Sequence, residues 1–235
     1  MSTTARPTYL PTTHEIRDAF AEEIASLGGT MHDVYDDGER LFLRSVLSRH
    51  TEVRPGDRIR GGVAVRATGS EILVHPYTLR QVCTNGAIAA HALETRCIER
   101  APASDVYAPT YEGTVVLATL REAVQSCASP EAFATVTSEM RSAMEREADL
   151  AITLGSALGR ISAGMGAHWL PQIFSRFAAD GDPSAFGLMN AVTAVAREVR
   201  DPDVRWRLEE LGGSVPARLS PRPKVAPAAS ALVGV

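Results

Sequence analysis

The chain reads as an α+β protein, with antiparallel β-strands in the N-terminal half packed with helices and a mostly helical C-terminal half. Two observations predict this division. From Met31 to Val82, short runs of β-branched and aromatic residues alternate with glycine-bearing turns, whereas from Ser129 onward apolar residues recur at helical spacing behind good capping residues. A third sets the scale: 45% of the 235 residues are hydrophobic, enough for one substantial core. Residues 1–212 are therefore expected to form one domain and residues 213–235 a Pro/Ala-rich, basic, flexible tail.

Thr12 or Thr13 caps a first helix whose Ile16, Phe20, Ile24 and Leu27 share one face, and Gly28-Gly29 stops it. Met31–Tyr35 and Arg40–Leu47 form a hairpin around Asp36-Asp37-Gly38. Pro55-Gly56-Asp57 turns into a strand carrying Ile59, Gly61, Val63 and Val65. Thr68-Gly69-Ser70 leads to its partner, Glu71–His75, which Pro76 is expected to end. Behind Asn85-Gly86 the small residues Ala87, Ala89, Ala90 and Ala92 predict a tightly packed helix toward Glu94. A strand near Thr95–Arg100 and a loop over Ala101–Gly113 follow.

Val115–Cys127 reads as a helix. Ser129-Pro130 opens another on the stripe Phe133, Val136, Met140 and Met144, which could run to about Gly155–Gly166. Trp169, Ile173 and Phe177 mark a shorter helix closed by Asp180-Gly181-Asp182-Pro183. Phe186–Val199 is the next, and Asp201-Pro202 caps a last one that Gly212-Gly213 is expected to stop.

A net charge of −4 argues against coating nucleic acid with the whole surface, but the charge is uneven. Residues 1–39 hold 2 basic and 8 acidic side chains, residues 40–104 hold 10 and 5, residues 105–212 hold 9 and 15, and residues 213–235 add 3 basic ones. The middle and the tail are basic. Lys224 is the one lysine, so a phosphate loop, a Schiff base or a lysine base in the folded body has no residue to rest on. The three cysteines, Cys83, Cys97 and Cys127, are odd in number and widely spaced, which indicates neither a disulfide framework nor a zinc knuckle. No apolar run approaches the ~20 residues of a membrane span and no secretory signal opens the chain, so it reads as cytoplasmic and not membrane-bound.

The segment Arg80-Gln81-Val82-Cys83-Thr84-Asn85-Gly86, preceded by Gly56-Asp57 and Gly61-Gly62-Val63-Ala64-Val65, resembles the phage- and plasmid-like family known as domain of unknown function 932. In that family a strand pair ends in arginine followed by V-C-T-N-G. Asn190-Ala191-Val192-Thr193 is a second local likeness, so the resemblance spans about Glu52 to Arg200. It implies an α+β fold and an association with mobile elements, and no activity.

From the residues themselves, Cys83, Thr84, Asn85 and Gly86 suit a strand-to-helix junction, with Asn85 or Thr84 as cap and Gly86 allowing close backbone approach. The functional alternative is a phosphate on the helix amides beside Arg80. A Cys83 nucleophile lacks a nameable base. His91 and Cys97 would point about 120° apart on a helix, which disfavours a metal site. Glu145, Glu147 and Asp149 with Arg141 and Arg146, and Glu209-Glu210 with Arg205 and Arg207, read as solvated ion-paired faces. The Asp33, Asp36, Asp37 and Glu39 cluster reads as a turn. No metal, cofactor or catalytic residue is nominated, since H-E-x-x-H, G-x-S-x-G, G-x-G-x-x-G and P-loop patterns are all missing.

Arg58, Arg60 and Arg66 share one parity of their strand, and with Arg54 and Arg80 nearby they could track a phosphate backbone; a solvated outer face is the plain alternative. The expectation is a non-enzymatic, homo-oligomeric nucleic-acid-binding protein of a mobile element, acting on single-stranded DNA in replication or recombination. Arg218, Arg222 and Lys224 of the tail would add reach. The alternative is a self-assembling or host-protein-binding module without nucleic acid. An enzyme would need Cys83, His91, His168 and Asn190 to meet in a cleft.

Overall fold

A computed structural model describes residues 11–69, 71–91, 96–99, 109–148, 150 and 163–218. The fold is α+β: an antiparallel, curled sheet in the N-terminal half and helices in the C-terminal half. Helix α1 (Thr13–Ser26) starts at Thr12 in a capping box with Glu15 and buries Ile16, Phe20 and Ile24. Strands β1 (Thr30–Asp36) and β2 (Arg40–Val46) form the expected hairpin. In its turn, the Asp36 and Asp37 carboxylates accept backbone hydrogen bonds from Gly38, Glu39 and Arg40. Those bonds, chiefly the Arg40 backbone N–H, pull the Asp37 pKa down to about 2.

The spine of the sheet is the long hairpin of β4 (Asp57–Thr68) and β5 (Glu71–Arg80). The free edge of β4 is shared by β2 and by β3 (His50–Arg54). The free edge of β5 is shared by β7 (Arg96–Glu99), at residues 71–74, and by β6 (Asn85–Ile88), at residues 77–80. Pro76 therefore does not end the strand. It falls where the outer neighbour changes from β7 to β6, so no ladder partner needs its missing N–H, while its carbonyl accepts from Ala89.

Asn85-Gly86 also corrects the sequence reading, because it opens strand β6 and not a helix. Gly86 lies on Tyr77 so closely that a Cβ would stand 2.0 Å from the phenol oxygen. The small residues that suggest helix packing, Ala87 and Ala89, instead let the strand lie against its neighbours in the interior. Residues 92–95, toward Glu94, lie outside the described residues.

Helix α2 (Pro109–Cys127) begins within the expected loop and packs with α1 on one face of the sheet, around Leu43, Val63, Val65 and Val74. Helix α3 (Pro130–Met144) has the expected Ser129 cap and first-turn proline but stops at Met144, well short of the expected end. Helix α4 (Ala163–Asp180) is followed by α5 (Ala185–Glu198), capped by Ser184 and buried nearly all round from Ala185 to Ala196. Helix α6 (Pro202–Arg218) is capped by the Asp201 carboxylate and passes straight through Gly212-Gly213. Residues 213–218 thus belong to a helix, and residues 219–235, with Arg222 and Lys224, lie outside the described residues.

Helix α6 lies on the other face of the sheet. Its Trp206 is buried against Phe42, Ala64 and Tyr77. Its Glu209, expected on a solvated face, is buried and accepts from Arg44 Nε at 2.7 Å and Arg205 Nε at 3.0 Å. Asp33 closes the group against both arginines. Burial pushes the Glu209 pKa up, and the two guanidinium groups oppose that rise.

Candidate functional site

The strand arginines do not make a free outward surface. Arg58, Arg60 and Arg66 share one side of β4, as their parity requires, but α6 covers that side at Ala64 and beyond. Arg66 donates to Asp203 of α6 at 3.0 Å and lies over the Phe42 ring. Arg60 donates through Nε and Nη2 to the Leu47 carbonyl. Arg58 stays half exposed, 3.9 Å from Glu52. A continuous phosphate track along β4 is thus replaced by three separately engaged guanidinium groups.

The other two arginines of the set lead elsewhere. Asp57, buried at the start of β4, takes a two-pronged hydrogen bond from Arg80, at 2.7 Å to each oxygen, and a third from Arg54 at 3.1 Å. Both guanidinium groups lie over the Phe186 ring, at 5.5 and 5.6 Å. Burial is the largest influence and works against the Arg80 charge, but the hydrogen bonds and charge attraction of Asp57 and Cys83 together outweigh it and raise its pKa.

Above this pair opens a cavity of about 290 Å³, bounded by β3, the β5–β6 turn, the end of α4 and one side of α5. Arg54, Arg80, Arg176 and Arg197 reach it from four different elements, and Asp180 and Asp182 line it as well. Asp182 accepts from the Ser184 backbone N–H and from Arg54. Burial opposes its charge, yet these donors hold its pKa below the usual carboxylate range. Arg176 pairs with Glu198. Arg197 differs: it donates to the Cys83 carbonyl and, at 2.9 Å, to the Thr84 hydroxyl, both of them neutral groups.

Two residues of the V-C-T-N-G segment, Cys83 and Asn85, line the cavity. Thr84 sits in the left-handed region at φ 52°, which folds the chain tightly enough to bring Cys83 and Asn85 into the cavity wall. Arg80 Nη1 donates to the Cys83 sulfur at 3.0 Å. Asn85 and Asn190 also line the cavity, both buried, and the Asn85 amide donates weakly, at 3.4 Å, to the Asn190 backbone carbonyl. Their two side-chain carbonyl oxygens accept no hydrogen bond.

The phosphate-on-helix alternative falls with the helix, because residues 85–88 pair as a strand. Of the four residues an enzyme would need together, Cys83 and Asn190 share the cavity. His91 pairs with Glu139 at 2.7 Å, and His168 lies against the Trp169 ring. Among the described residues there is no cluster of three or more metal-ligating side chains, and no helix is long and apolar enough to cross a membrane. Nothing in the sequence pattern marks out Arg176 and Arg197. The available signal is Asn190, an amide in the middle of an otherwise apolar helical stripe.

Comparison of the chain with protein-family models, curated proteins and solved structures found no match. The likeness to domain of unknown function 932 therefore rests on the quoted residues alone.

Proposed function

We propose that the protein binds single-stranded nucleic acid without catalysing a reaction on it, and that the point of attachment is the arginine-lined cavity. A role for a mobile element in replication or recombination is part of this reading and rests only on the resemblance. The observation that carries it is the convergence of Arg54, Arg80, Arg176 and Arg197, from four elements, on one opening. Guanidinium groups are donors of fixed shape that match phosphate oxygens, and Arg197 has only neutral partners, so its charge is free to act on an incoming anion.

The test is fluorescence anisotropy of a labelled single strand across a salt series. Affinity should fall steeply with salt. Replacing Arg176 and Arg197 together by alanine should weaken binding and reduce the logarithmic salt slope by about 0.7 for each phosphate that is no longer neutralised. An unchanged slope would remove the cavity from the interface.

A second reading, self-association without nucleic acid, is favoured by Phe174, which stands 39% exposed on α4, and by a broad groove of about 450 Å³ along α4 and α5 with Pro171, Ala179 and Val195 in its wall. Mass photometry with and without oligonucleotide separates the two: this reading expects an oligomer of the same mass in both.

A further inference from the structure

We infer that the turn between β5 and β6 is a latch: Arg197 holds it shut around a strained Thr84, and a phosphate that takes Arg197 lets it open. This rests on the reading of the cavity as a phosphate-binding one. Thr84 carries the strain, since at φ 52° it lies in the left-handed region, where a β-branched side chain crowds its own backbone. Among the described residues, every other residue with positive φ is a glycine. What threonine adds over glycine is an oxygen. Its hydroxyl donates to the Cys83 carbonyl at 2.8 Å and accepts from Arg197 at 2.9 Å, and Arg197 also donates to that carbonyl. The residue that resists the turn thus supplies the handle by which the turn is held.

Little else holds the turn. Gln81, Val82 and Thr84 are exposed, Val82 at 63%, and no side chain of the turn belongs to the core, so opening it uncovers no apolar interior. Its ends are fixed by the ladder pair of Arg80 with Asn85 and by the Gln81 backbone N–H, which donates to the Arg58 carbonyl at 2.9 Å. Arg80 Nη1 also donates to the Cys83 sulfur, but a thiol is a weak acceptor and this is the lesser tie. Arg197 is itself exposed, and both of its acceptors are neutral. A phosphate offers charged oxygens in a shape that suits both prongs of a guanidinium, so it outcompetes a carbonyl and a hydroxyl for this donor. Backbone strain at one such residue is of the same order as the net gain from a hydrogen bond or two. Loss of Arg197 is therefore enough to shift the turn.

The experiment adds inorganic pyrophosphate to the full chain and to the variants Arg197→Ala and Thr84→Gly. Calorimetry reads binding, and NMR reads hydrogen exchange at the Gln81 amide together with the sign of φ at Thr84. In the native chain, saturating pyrophosphate is expected to speed Gln81 exchange about tenfold and to move Thr84 out of positive φ. Arg197→Ala should exchange at that faster rate with no pyrophosphate present. Thr84→Gly should bind pyrophosphate yet keep slow exchange, because a glycine holds the left-handed turn without strain. Three results overturn the latch and leave the phosphate reading standing: bound pyrophosphate with unchanged or slower exchange in the native chain, an Arg197→Ala variant as slow as the native one, or a Thr84→Gly variant that responds as the native chain does. No binding of pyrophosphate to the native chain overturns both.

Discussion

Gly213 shows how far a single residue departs from its local propensity. In mid-helix a glycine costs about 0.5–1 kcal/mol relative to alanine, so Gly213→Ala in an isolated helix would stabilise it. Here a Cβ at that position would stand 2.1 Å from the Ile88 carbonyl oxygen, a backbone atom that cannot turn aside. Gly212, one step back, would meet Thr193 at 2.5 Å. The pair lets α6 lie directly on β6 and α5, and the steric term wins. Gly213→Ala is expected to lower stability by about 2 kcal/mol, read as a fall in the urea midpoint at unchanged slope. A rise would mean that α6 is not held against β6 as closely as the structure has it.

At the scale of elements, the docking of α6 depends on a buried charge group. Arg44 and Glu209 are each 2% exposed in their side chains, and Arg44 Nη2 has no partner, so the guanidinium relies on Glu209 and Asp33. Replacing Glu209 by alanine leaves the buried Arg44 with Asp33 alone, which it shares with Arg205. The expected loss is about 3–5 kcal/mol, with Glu209→Gln milder because it keeps an acceptor near Arg44 Nε. Chemical denaturation of both variants checks the order.

Elements whose signal is local are legible in the sequence: the α1 cap, the β1–β2 hairpin, the Ser129-Pro130 start of α3. Those decided by distant neighbours are not. Gly212-Gly213 reads as a stop unless Ile88 is known to lie above it, and Pro76 reads as a strand end unless the change of neighbour from β7 to β6 is known. The cavity follows the same rule. Arg54, Arg80, Cys83 and Asn85 stand out because they fall in one segment. Arg176 and Arg197 come from helices far along the chain, and helical spacing alone does not say which face meets a turn between two strands.

At the scale of the whole molecule, the β4–β5 hairpin joins the apolar layer of α1 and α2 to the layer under α6, and β5 places an ionisable group between sheet and helix. His75 is 2% exposed, beside the Trp206 ring and 3.6 Å from Glu210 of α6. Burial pushes its pKa down to about 4, from 6.5 in an unfolded chain. Burial raises the Glu210 pKa, so it gives up its charge more readily as pH falls and offers a protonated His75 little support. The sign follows from which state binds the proton. Between 6.5 and about 4 the unfolded chain takes up a proton that the folded chain excludes. The contribution of a neutral, buried His75 is therefore complete above 6.5 and is lost as pH falls through that window, by roughly 3 kcal/mol in total. Asp37, held near 2, titrates below the window, whereas Glu209 and Glu210, raised by burial, recover stability on acidification and partly mask the effect. The difference between the native chain and His75→Gln isolates it, because the other groups are common to both. Urea unfolding at about pH 7 and about pH 4.5 should show the native chain losing roughly 2–3 kcal/mol more than the variant. Parallel losses would mean that His75 is hydrated or charged in the folded protein, and that α6 does not seal it against the sheet.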